Sequence, residues 1–304
     1  MSSFILSLIF LITFSPVLSS TVFLDKKEQN ENDGFKIQFP YSLGPKITAE
    51  SALALDLNSG QVCFSKNKEK VLSIASITKL MTTLVFLENN KLDFEQEIKI
   101  EPQDIISNSA SLKDLEPASL NIKPGQRIKL KDIFNAGLIR SANDAMKILA
   151  RLIEINSEKS FVDLMNEKAI SLGMTNSFFV EPTGLNFENK STAEDLVKLI
   201  FSAFKKEEIK TALNTPIYDF SVYDFGKISY QRVWNTNELL NSFINLKEAK
   251  TGYLNESGYC LVGISDYQNK QFLVVILNSA TSQSRFQEAK SLIWWSEKNC
   301  FDKQ

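Results

Sequence analysis

The order of strand-like and helix-like segments is the feature that most restricts the fold of this chain. Two β-rich apolar runs flank Asn58-Ser59-Gly60, a turn sequence typical of a hairpin. Two more form the segment YCLVGISDYQNKQFLVVILNS at residues 259–279, and a last helix covers Phe286 to Trp295. Strands at both ends with helices between them predict an α/β (α+β) fold. We expect one antiparallel sheet that is built from both chain ends and flanked by helices, with a helical sub-domain inserted between its strands.

The middle of the chain is predicted to be mainly helical. Apolar residues recur at helical spacing after Gly125, after Asn143, in the run that ends at Gly173, and from Ala193 to Phe204. Another helix is expected over SITKLMTTLVFLENN, with Ser76 as its N-cap.

The N-terminal residues are typical of an export signal. Phe4 to Leu18 form an apolar run that is followed by small residues, although Lys and Arg are missing before it. Extended to Leu24, the run is also long enough to be an uncleaved membrane anchor. We therefore expect a signal peptide at 1–20, a polar linker at 21–40 and one exported domain at 41–300, on the periplasmic or extracellular side of the membrane.

Charge and histidine content exclude several classes of function. The 34 basic and 36 acidic residues nearly balance, which disfavours nucleic acid as a partner. The sequence has no histidine, so Ser-His-Asp and Cys-His mechanisms and His-ligated metals are excluded. A hydrolase of this composition must use Lys, Glu, Asp or Tyr as its base, and we expect neither a metal nor another cofactor.

The three cysteines are Cys63, Cys260 and Cys300. Their wide spacing excludes a zinc knuckle or a redox CxxC motif. A disulfide between two of them is compatible with export, whereas buried free thiols on strands are the simpler interpretation for Cys63 and Cys260.

Three short motifs indicate serine chemistry without histidine. Ser76-Ile77-Thr78-Lys79 places a hydroxyl and an amine on one face of a helix start, where free backbone N–H groups suit a developing oxyanion. The motif alone is common by chance. Ser141-Ala142-Asn143 and Lys250-Thr251-Gly252 follow it, and the three in this order are the signature of penicillin-binding proteins and serine β-lactamases.

The segments around these motifs resemble the low-molecular-weight D-alanyl-D-alanine carboxypeptidases. The resemblance runs from about Ser51 to Trp295 and includes SITKLMTTL, IKPGQRIKLKDIFNAGLIRSANDA, FVDLMNEKAISLGMTNSFF, PTGL, STAEDL, KTGYLNESGYCLVG and SRFQEAKSLIWW. It implies a β-lactamase/transpeptidase-like fold. It also implies an exported serine peptidase that acts on the D-Ala-D-Ala end of peptidoglycan stem peptides and is inhibited by β-lactams.

The resemblance also implies roles for individual residues. Ser76 would be the nucleophile, Lys79 its base and Ser141 a proton relay to the leaving amine. Lys79 could act as a base only if burial or a second cation, for which Lys250 is a candidate, lowers its pKa. The implied substrate-binding residues are Asn143, Lys250, Thr251, Gly252, Tyr253 and Arg285, with the N–H groups of Ser76 and Tyr253 as oxyanion hole. A surface arginine is the alternative for Arg285.

Three other functions share parts of this pattern. A DD-endopeptidase would use the same site on cross-linked peptides. A class A β-lactamase needs Glu-x-x-Leu-Asn, and the run from Glu181 to Asn186 is one residue longer. A non-catalytic penicillin sensor is disfavoured, since no kinase or further transmembrane segment follows. Many family members continue into a β-rich second domain and a membrane-binding helix, neither of which is expected here, so any membrane association would be N-terminal.

Overall fold

The computed structural model describes residues 44–106 and 118–300 of the chain. The predicted signal peptide at 1–20, the linker at 21–40 and the domain boundary at 41 lie outside these ranges. The described residues belong to one compact unit. Within the described ranges, no helix combines the length and apolarity needed to cross a bilayer.

The described residues form eleven strands and seven α-helices. The strands are β1 (Ser51–Asp56), β2 (Val62–Lys66), β3 (Leu72–Ser73), β4 (Glu97–Lys99), β5 (Arg127–Lys129), β6 (Lys190–Ser191), β7 (Ile217–Asp224), β8 (Lys227–Trp234), β9 (Leu246–Leu254), β10 (Gly258–Tyr267) and β11 (Lys270–Ser279). The helices are α1 (Thr78–Asn89), α2 (Leu130–Ile139), α3 (Asn143–Glu154), α4 (Phe161–Ser171), α5 (Ala193–Ala203), α6 (Glu207–Asn214) and α7 (Ser282–Asn299).

The main sheet is antiparallel and contains strands from both ends of the chain, as predicted. Its order is β2-β1-β11-β10-β9, and the helical region is inserted between β2 and β9. Alternate residues of β11 belong to two hydrophobic clusters, one shared with α7 (Phe272, Val274, Ile276) and one shared with the inserted helices (Leu273, Val275, Leu277). Because side chains alternate across a strand, this one strand holds helices on both faces of the sheet.

The predicted helices and hairpins are confirmed, with two corrections. Lys250-Thr251-Gly252, which the sequence places before the late strand pair, lies inside a strand of its own, β9, at the sheet edge. A second antiparallel sheet of order β4-β5-β7-β8, which the sequence analysis did not predict, contains the long hairpin β7–β8.

Two of the three cysteines form a disulfide and one is free, whereas the simpler interpretation predicts free thiols at both Cys63 and Cys260. Cys63 on β2 forms a disulfide with Cys300, which follows α7, whereas Cys260 is buried and free as expected. The free-thiol interpretation of Cys63 is therefore wrong. The reason is tertiary: α7 packs against the sheet up to its β2 edge, so the end of the helix returns to Cys63.

Candidate active site

Ser76 lies in a single 3₁₀ turn, Ala75–Ile77, directly before α1. The expectation that Ser76 caps this helix is wrong, because the N-cap of α1 is Ile77 and no side chain caps it. The Oγ of Ser76 instead accepts a hydrogen bond from Lys79 Nζ at 2.7 Å. The preceding residue, Ala75, has a φ of 45°, in the left-handed region that non-glycine residues rarely adopt.

Lys79 is fully buried and has three hydrogen-bond acceptors. Its Nζ donates to Ser76 Oγ and to Asn143 Oδ1, each at 2.7 Å, and to the backbone carbonyl of Thr183. An ammonium group has three N–H bonds, so each of them has a partner. When Lys79 loses one proton, its nitrogen gains a lone pair in one of these three directions. If the lone pair points at the Ser76 hydroxyl, the amine can accept the hydroxyl proton.

The surroundings of Lys79 favour its neutral form. Burial lowers the Lys79 pKa to about 7, and the negative charges of Glu181 and Asp144 act in the opposite direction. The expectation of a lowered pKa is thus met by burial. Burial is the main cause of this shift, and the repulsion between the two ammonium groups also helps to lower the Lys250 pKa.

Ser141 and Lys250 form a second serine–lysine pair in the same site. Ser141 joins α2 to α3 with a φ of 63°, and its Oγ accepts from Lys250 Nζ at 2.8 Å. Lys250 is fully buried and also donates to the carbonyl of Thr251 at 2.9 Å. Its pKa lies well below the ordinary value, first because of burial and then because of the charges of Lys79 and Arg285. Asn143, the first residue of α3, contacts Lys79 as described above.

Strand β9 packs with its backbone against the Ser76 turn. A Cβ added at Gly252 would lie 3.0 Å from both the Ser76 nitrogen and the Ile74 carbonyl oxygen, so a side chain there would force the two segments apart. The Ser76 N–H therefore lies beside the β9 backbone that leads into Tyr253. The ring of Tyr253 stacks on that of Tyr259, with centroids 4.2 Å apart.

Thr251 and Arg285 lie at the same strand. Thr251 Oγ1 is 2.7 Å from Thr236 Oγ1, to which it donates. Arg285, on the first turn of α7, is buried and donates from Nη1 to the Gly252 carbonyl at 3.2 Å. The surface alternative for Arg285 is therefore wrong. Its guanidinium carbon lies 5.4 Å from the centre of the Tyr259 ring, a cation–π distance.

The loop at residues 181–189 forms one wall of the site and contacts Lys79 through the Thr183 carbonyl, a contact that the sequence did not predict. The Glu181 carboxylate accepts from Thr183 N at 2.7 Å, Gly184 N at 2.6 Å, Asn186 N at 3.3 Å and Asn189 Nδ2 at 2.5 Å. It also accepts from Thr183 Oγ1 at 2.5 Å. Both oxygens are thus used to fold the loop that presents the Thr183 carbonyl to Lys79. This use differs from the water-activating glutamate of a class A β-lactamase.

Gly184 allows this loop to pack on the nucleophile turn. Its φ is 84°, and an added Cβ would lie 2.1 Å from the Ala75 carbonyl oxygen. No side chain larger than hydrogen fits there. The Pro-Thr-Gly-Leu sequence indicates a loop at this position, but the sequence alone does not reveal that the loop contacts the turn that contains Ser76.

Asp144 and Thr236 are two further residues that the sequence analysis missed. Asp144 accepts from the backbone N–H groups of Leu120 and Ala145, each at 2.8 Å, and so fixes the segment before β5 against the start of α3. Burial raises the Asp144 pKa to about 7. The Asp next to Ser141-Ala142-Asn143 was visible in the sequence, whereas nothing local marked Thr236.

The nine predicted residues are brought together by these contacts. Lys79 touches Ser76 and Asn143, Lys250 touches Ser141, and β9 joins the two halves. Among residues 44–106 and 118–300, no cluster of three or more Cys, Asp or Glu side chains is placed to hold a metal ion. The arrangement offers a serine hydroxyl, a buried amine and backbone N–H groups, which together suit acyl transfer.

Comparison of the sequence with known proteins is consistent with this chemistry. The model of peptidase family S11, D-alanyl-D-alanine carboxypeptidase, matches residues 39–281. A D-alanyl-D-alanine endopeptidase of Escherichia coli K12 is 34% identical over 255 residues, which are 83% of this chain and 78% of the relative. The D-alanyl-D-alanine carboxypeptidase DacF of Bacillus subtilis is 31% identical over 240 residues, or 78% and 59% of the two chains.

Solved structures share the fold over most of the chain. The DD-transpeptidase of Streptomyces K15 superposes with a TM-score of 0.76 at 25% identity, covering 84% of this chain and 100% of the other. Penicillin-binding protein D2 of Listeria monocytogenes, in its cefotaxime-bound form, superposes with a TM-score of 0.68 at 26% identity and the same coverage.

Proposed function

Because this chain belongs to the D-alanyl-D-alanine carboxypeptidase family of serine peptidases, we propose that Ser76 is its nucleophile and Lys79 the base that activates it. The chain is a penicillin-binding hydrolase of D-Ala-D-Ala-type peptides. The observation that supports the residue assignment is the buried Lys79 Nζ, 2.7 Å from Ser76 Oγ and with a pKa near 7.

Acylation begins with neutral Lys79. Its lone pair takes the proton of the Ser76 hydroxyl while Oγ bonds to the carbonyl carbon of the penultimate D-Ala. Asn143 and the Thr183 carbonyl keep the amine aimed at Ser76. The N–H groups of Ser76 and Tyr253 are proposed to hold the oxyanion, where each donor contributes roughly 3 kcal/mol to the transition state.

Collapse of the oxyanion breaks the C–N bond and requires a proton on the leaving amine. Ser141 would donate its proton to that nitrogen and be re-protonated by Lys250, whose Nζ lies 2.8 Å away. Water then attacks the acyl-enzyme and gives one proton to the neutral Lys250, directly or through Ser141, while Lys79 returns its proton to Ser76 Oγ as the acid product leaves. Among the described residues neither lysine forms an ion pair with a carboxylate, and burial lowers the pKa of both, which makes loss of their protons easier.

The leaving group distinguishes two substrates. A carboxypeptidase releases a terminal D-Ala with a free carboxylate, whereas an endopeptidase opens a cross-link with the same acyl half. Family membership supports the carboxypeptidase as the main function, and relatives named endopeptidases support the second. The carboxylate next to the scissile bond, which both substrates present, would be bound by Thr251 and Lys250, with Arg285 behind the strand.

We also propose that the protein is exported and works on the cell-wall side of the membrane. The apolar run from Phe4 to Leu18 motivates this, and the Cys63–Cys300 disulfide is typical of oxidising compartments. Peptidoglycan stem peptides lie on that side. An N-terminal membrane anchor is the alternative fate of the same apolar run.

The proposal is tested with defined cell-wall fragments and a fluorescent penicillin. We expect mass spectrometry to detect loss of one D-Ala from a pentapeptide and slower conversion of a cross-linked dimer to monomer. Labelling should be covalent at Ser76 and absent from Ser76→Ala. Opening of dimers with an intact pentapeptide would instead make the protein an endopeptidase. Labelling of a folded Ser76→Ala protein would refute the nucleophile.

A further inference from the structure

The turn of the β7–β8 hairpin contains a phenylalanine, Phe225, whose backbone conformation and solvent exposure are both unfavourable for this residue type. Phe225 and Gly226 form a two-residue turn with φ of 43° and 83°. Turns with two positive φ values favour Asn-Gly, and a bulky residue there is strained. The Phe225 side chain is also 95% exposed. Strain combined with exposure of an apolar ring indicates a role other than folding.

The outward face of the hairpin continues from this ring. Inward-facing Phe220, Val222 and Val233 are buried. On the opposite face the cross-strand pairs are Tyr223↔Ile228, Ser221↔Tyr230, Asp219↔Arg232 and Ile217↔Trp234. Tyr230 is 80% exposed, Trp234 57% and Ile228 54%. We call this face, from Phe225 to Trp234, the hairpin stripe.

The hairpin stripe leads to the active site. Eight residues of β8 span about 25 Å at ~3.3 Å per residue. Two residues beyond Trp234, Thr236 donates its N–H to the Ile139 carbonyl and accepts from Thr251 Oγ1 at 2.7 Å. The stripe therefore has one end two residues from Thr236, which contacts Thr251, and extends along β8 away from that end.

We propose that the hairpin stripe binds the glycan strand of peptidoglycan, so that the stem peptide enters the active site from a strand held on β8. This inference rests on the proposed function and adds the polymer as the preferred substrate. Flat aromatic rings suit the C–H faces of sugar rings, and polar groups between them suit hydroxyl groups. Aromatic and polar side chains alternate along the stripe, because Tyr230 and Trp234 lie on either side of the Asp219–Arg232 pair. In this pair Arg232 Nε donates to Asp219 Oδ1 at 2.7 Å and Nη2 donates to Oδ2 at 2.8 Å.

The charge of the stripe favours a sugar polymer over a lipid surface. The hairpin segment 217–234 contains Asp219 and Asp224 against Lys227 and Arg232, so its formal charge is zero. Binding to an anionic membrane usually depends on an excess of Lys and Arg. Here the one exposed arginine of the face is already paired with a carboxylate.

The test compares three variants of the purified full-length chain. Phe225→Asn removes the exposed ring and installs the Asn-Gly pair that this turn favours, so we expect its melting temperature to equal or exceed that of the wild type. Tyr230→Ser removes a ring from the strand face. Phe243→Asn is the control, because Phe243 is 86% exposed but lies outside the hairpin.

The probe is peptide-free glycan, prepared from peptidoglycan by amidase removal of the stem peptides, in a co-sedimentation assay. We expect the wild type and Phe243→Asn to bind alike and the two hairpin variants to bind about fivefold to tenfold more weakly, as expected for loss of one stacked ring each. Turnover of a soluble pentapeptide should stay within about twofold of wild type for all three, while turnover of intact sacculi falls for the hairpin variants only.

Other outcomes would overturn the inference. Equal glycan binding by wild type and both hairpin variants would do so. If the hairpin variants lost binding only to phosphatidylglycerol vesicles, the stripe would be a lipid contact. If they lost only self-association, measured by sedimentation velocity, the stripe would be a contact between two copies of the chain. Because glycan binding needs no catalysis, penicillin labelling of Ser76 independently reports whether the proposed function itself has failed.

Discussion

Lys79 and Lys250 are both fully buried, and each donates to a different serine, Ser76 at 2.7 Å and Ser141 at 2.8 Å. Burial disfavours both charges, and the charge of Lys79 lowers the pKa of Lys250 further. Each serine therefore has its own amine, and we propose that Lys79 takes a proton and Lys250 returns one. The predictions below probe these roles separately.

Lys79→Arg should abolish efficient acylation. Arginine keeps its proton at all accessible pH values and has a different shape, so it cannot take the Ser76 proton. We expect a fall of several orders of magnitude in the acylation rate, measured with a chromogenic penicillin, as is usual for residues that act as a unit. In the wild type the rate should rise through about pH 7, where Lys79 loses its proton. Near wild-type acylation by the variant at neutral pH would exclude Lys79 as the base.

Glu181→Gln should move the pH profile of acylation to lower pH. The Glu181 charge raises the Lys79 pKa, so its removal lets Lys79 become neutral at lower pH. The maximal rate should also fall, because an amide has one acceptor oxygen for the loop that presents Thr183 to Lys79. Stopped-flow acylation between pH 5 and 9 measures both effects.

The control for this change is Glu188→Gln, an exposed position in the same loop, which should leave the profile unchanged. A Glu181→Gln profile that loses amplitude without any shift along the pH axis would reduce Glu181 to a structural role in the loop.

Arg285→Ala should weaken turnover of substrates with a free terminal carboxylate by about 1.5–3 kcal/mol, or roughly 10-fold to 150-fold, the usual range for a charged hydrogen bond. Arg285 holds the Gly252 carbonyl next to Thr251, so its loss removes positive charge behind the carboxylate position. The measurement is kcat/KM on a pentapeptide and on the same peptide with a C-terminal amide.

The carboxylate role predicts a smaller loss on the amide peptide, whereas a purely structural role predicts equal losses on both. Gln287→Ala, on the exposed face of the same helix, is the control and should change neither.

Intact-mass analysis of the protein from its host should reveal two modifications. We expect removal of roughly the first 20 residues, the length of a secretory signal. We also expect the mass deficit of one disulfide between Cys63 and Cys300, with Cys260 resistant to alkylation until the protein unfolds. Full-length, membrane-bound material would favour the anchor instead.

The Cys63→Ser/Cys300→Ser pair should lower the free energy of unfolding by about 2–5 kcal/mol, because the long loop closed by the disulfide regains its freedom in the unfolded state. Urea titration measures this loss. Penicillin labelling of Ser76 at low temperature should persist, since neither cysteine touches the site.

The sequence by itself determined the features that depend on neighbouring residues. Ser76 and Lys79 are three positions apart at a helix start, so their contact follows from helix geometry, and the two hairpins follow from turn residues between apolar runs. The order of the three motifs determined the family, because spacing and chemistry together are rare by chance.

Only the tertiary structure decided which distant groups meet. Lys250 and Ser141 are 109 positions apart, Lys79 and the Thr183 carbonyl 104, and Cys63 and Cys300 237. The helix capping expected of Ser76 is not formed, because the N-cap of α1 is Ile77, and the Ser76 Oγ accepts a hydrogen bond from Lys79 instead. Burial, which lowers the Lys79 pKa to about 7, is a property of the packed chain and not of any local segment. Periodicity specifies which face of a segment is apolar, but the partner of that face, and the polar groups enclosed between them, depend on packing of the whole domain.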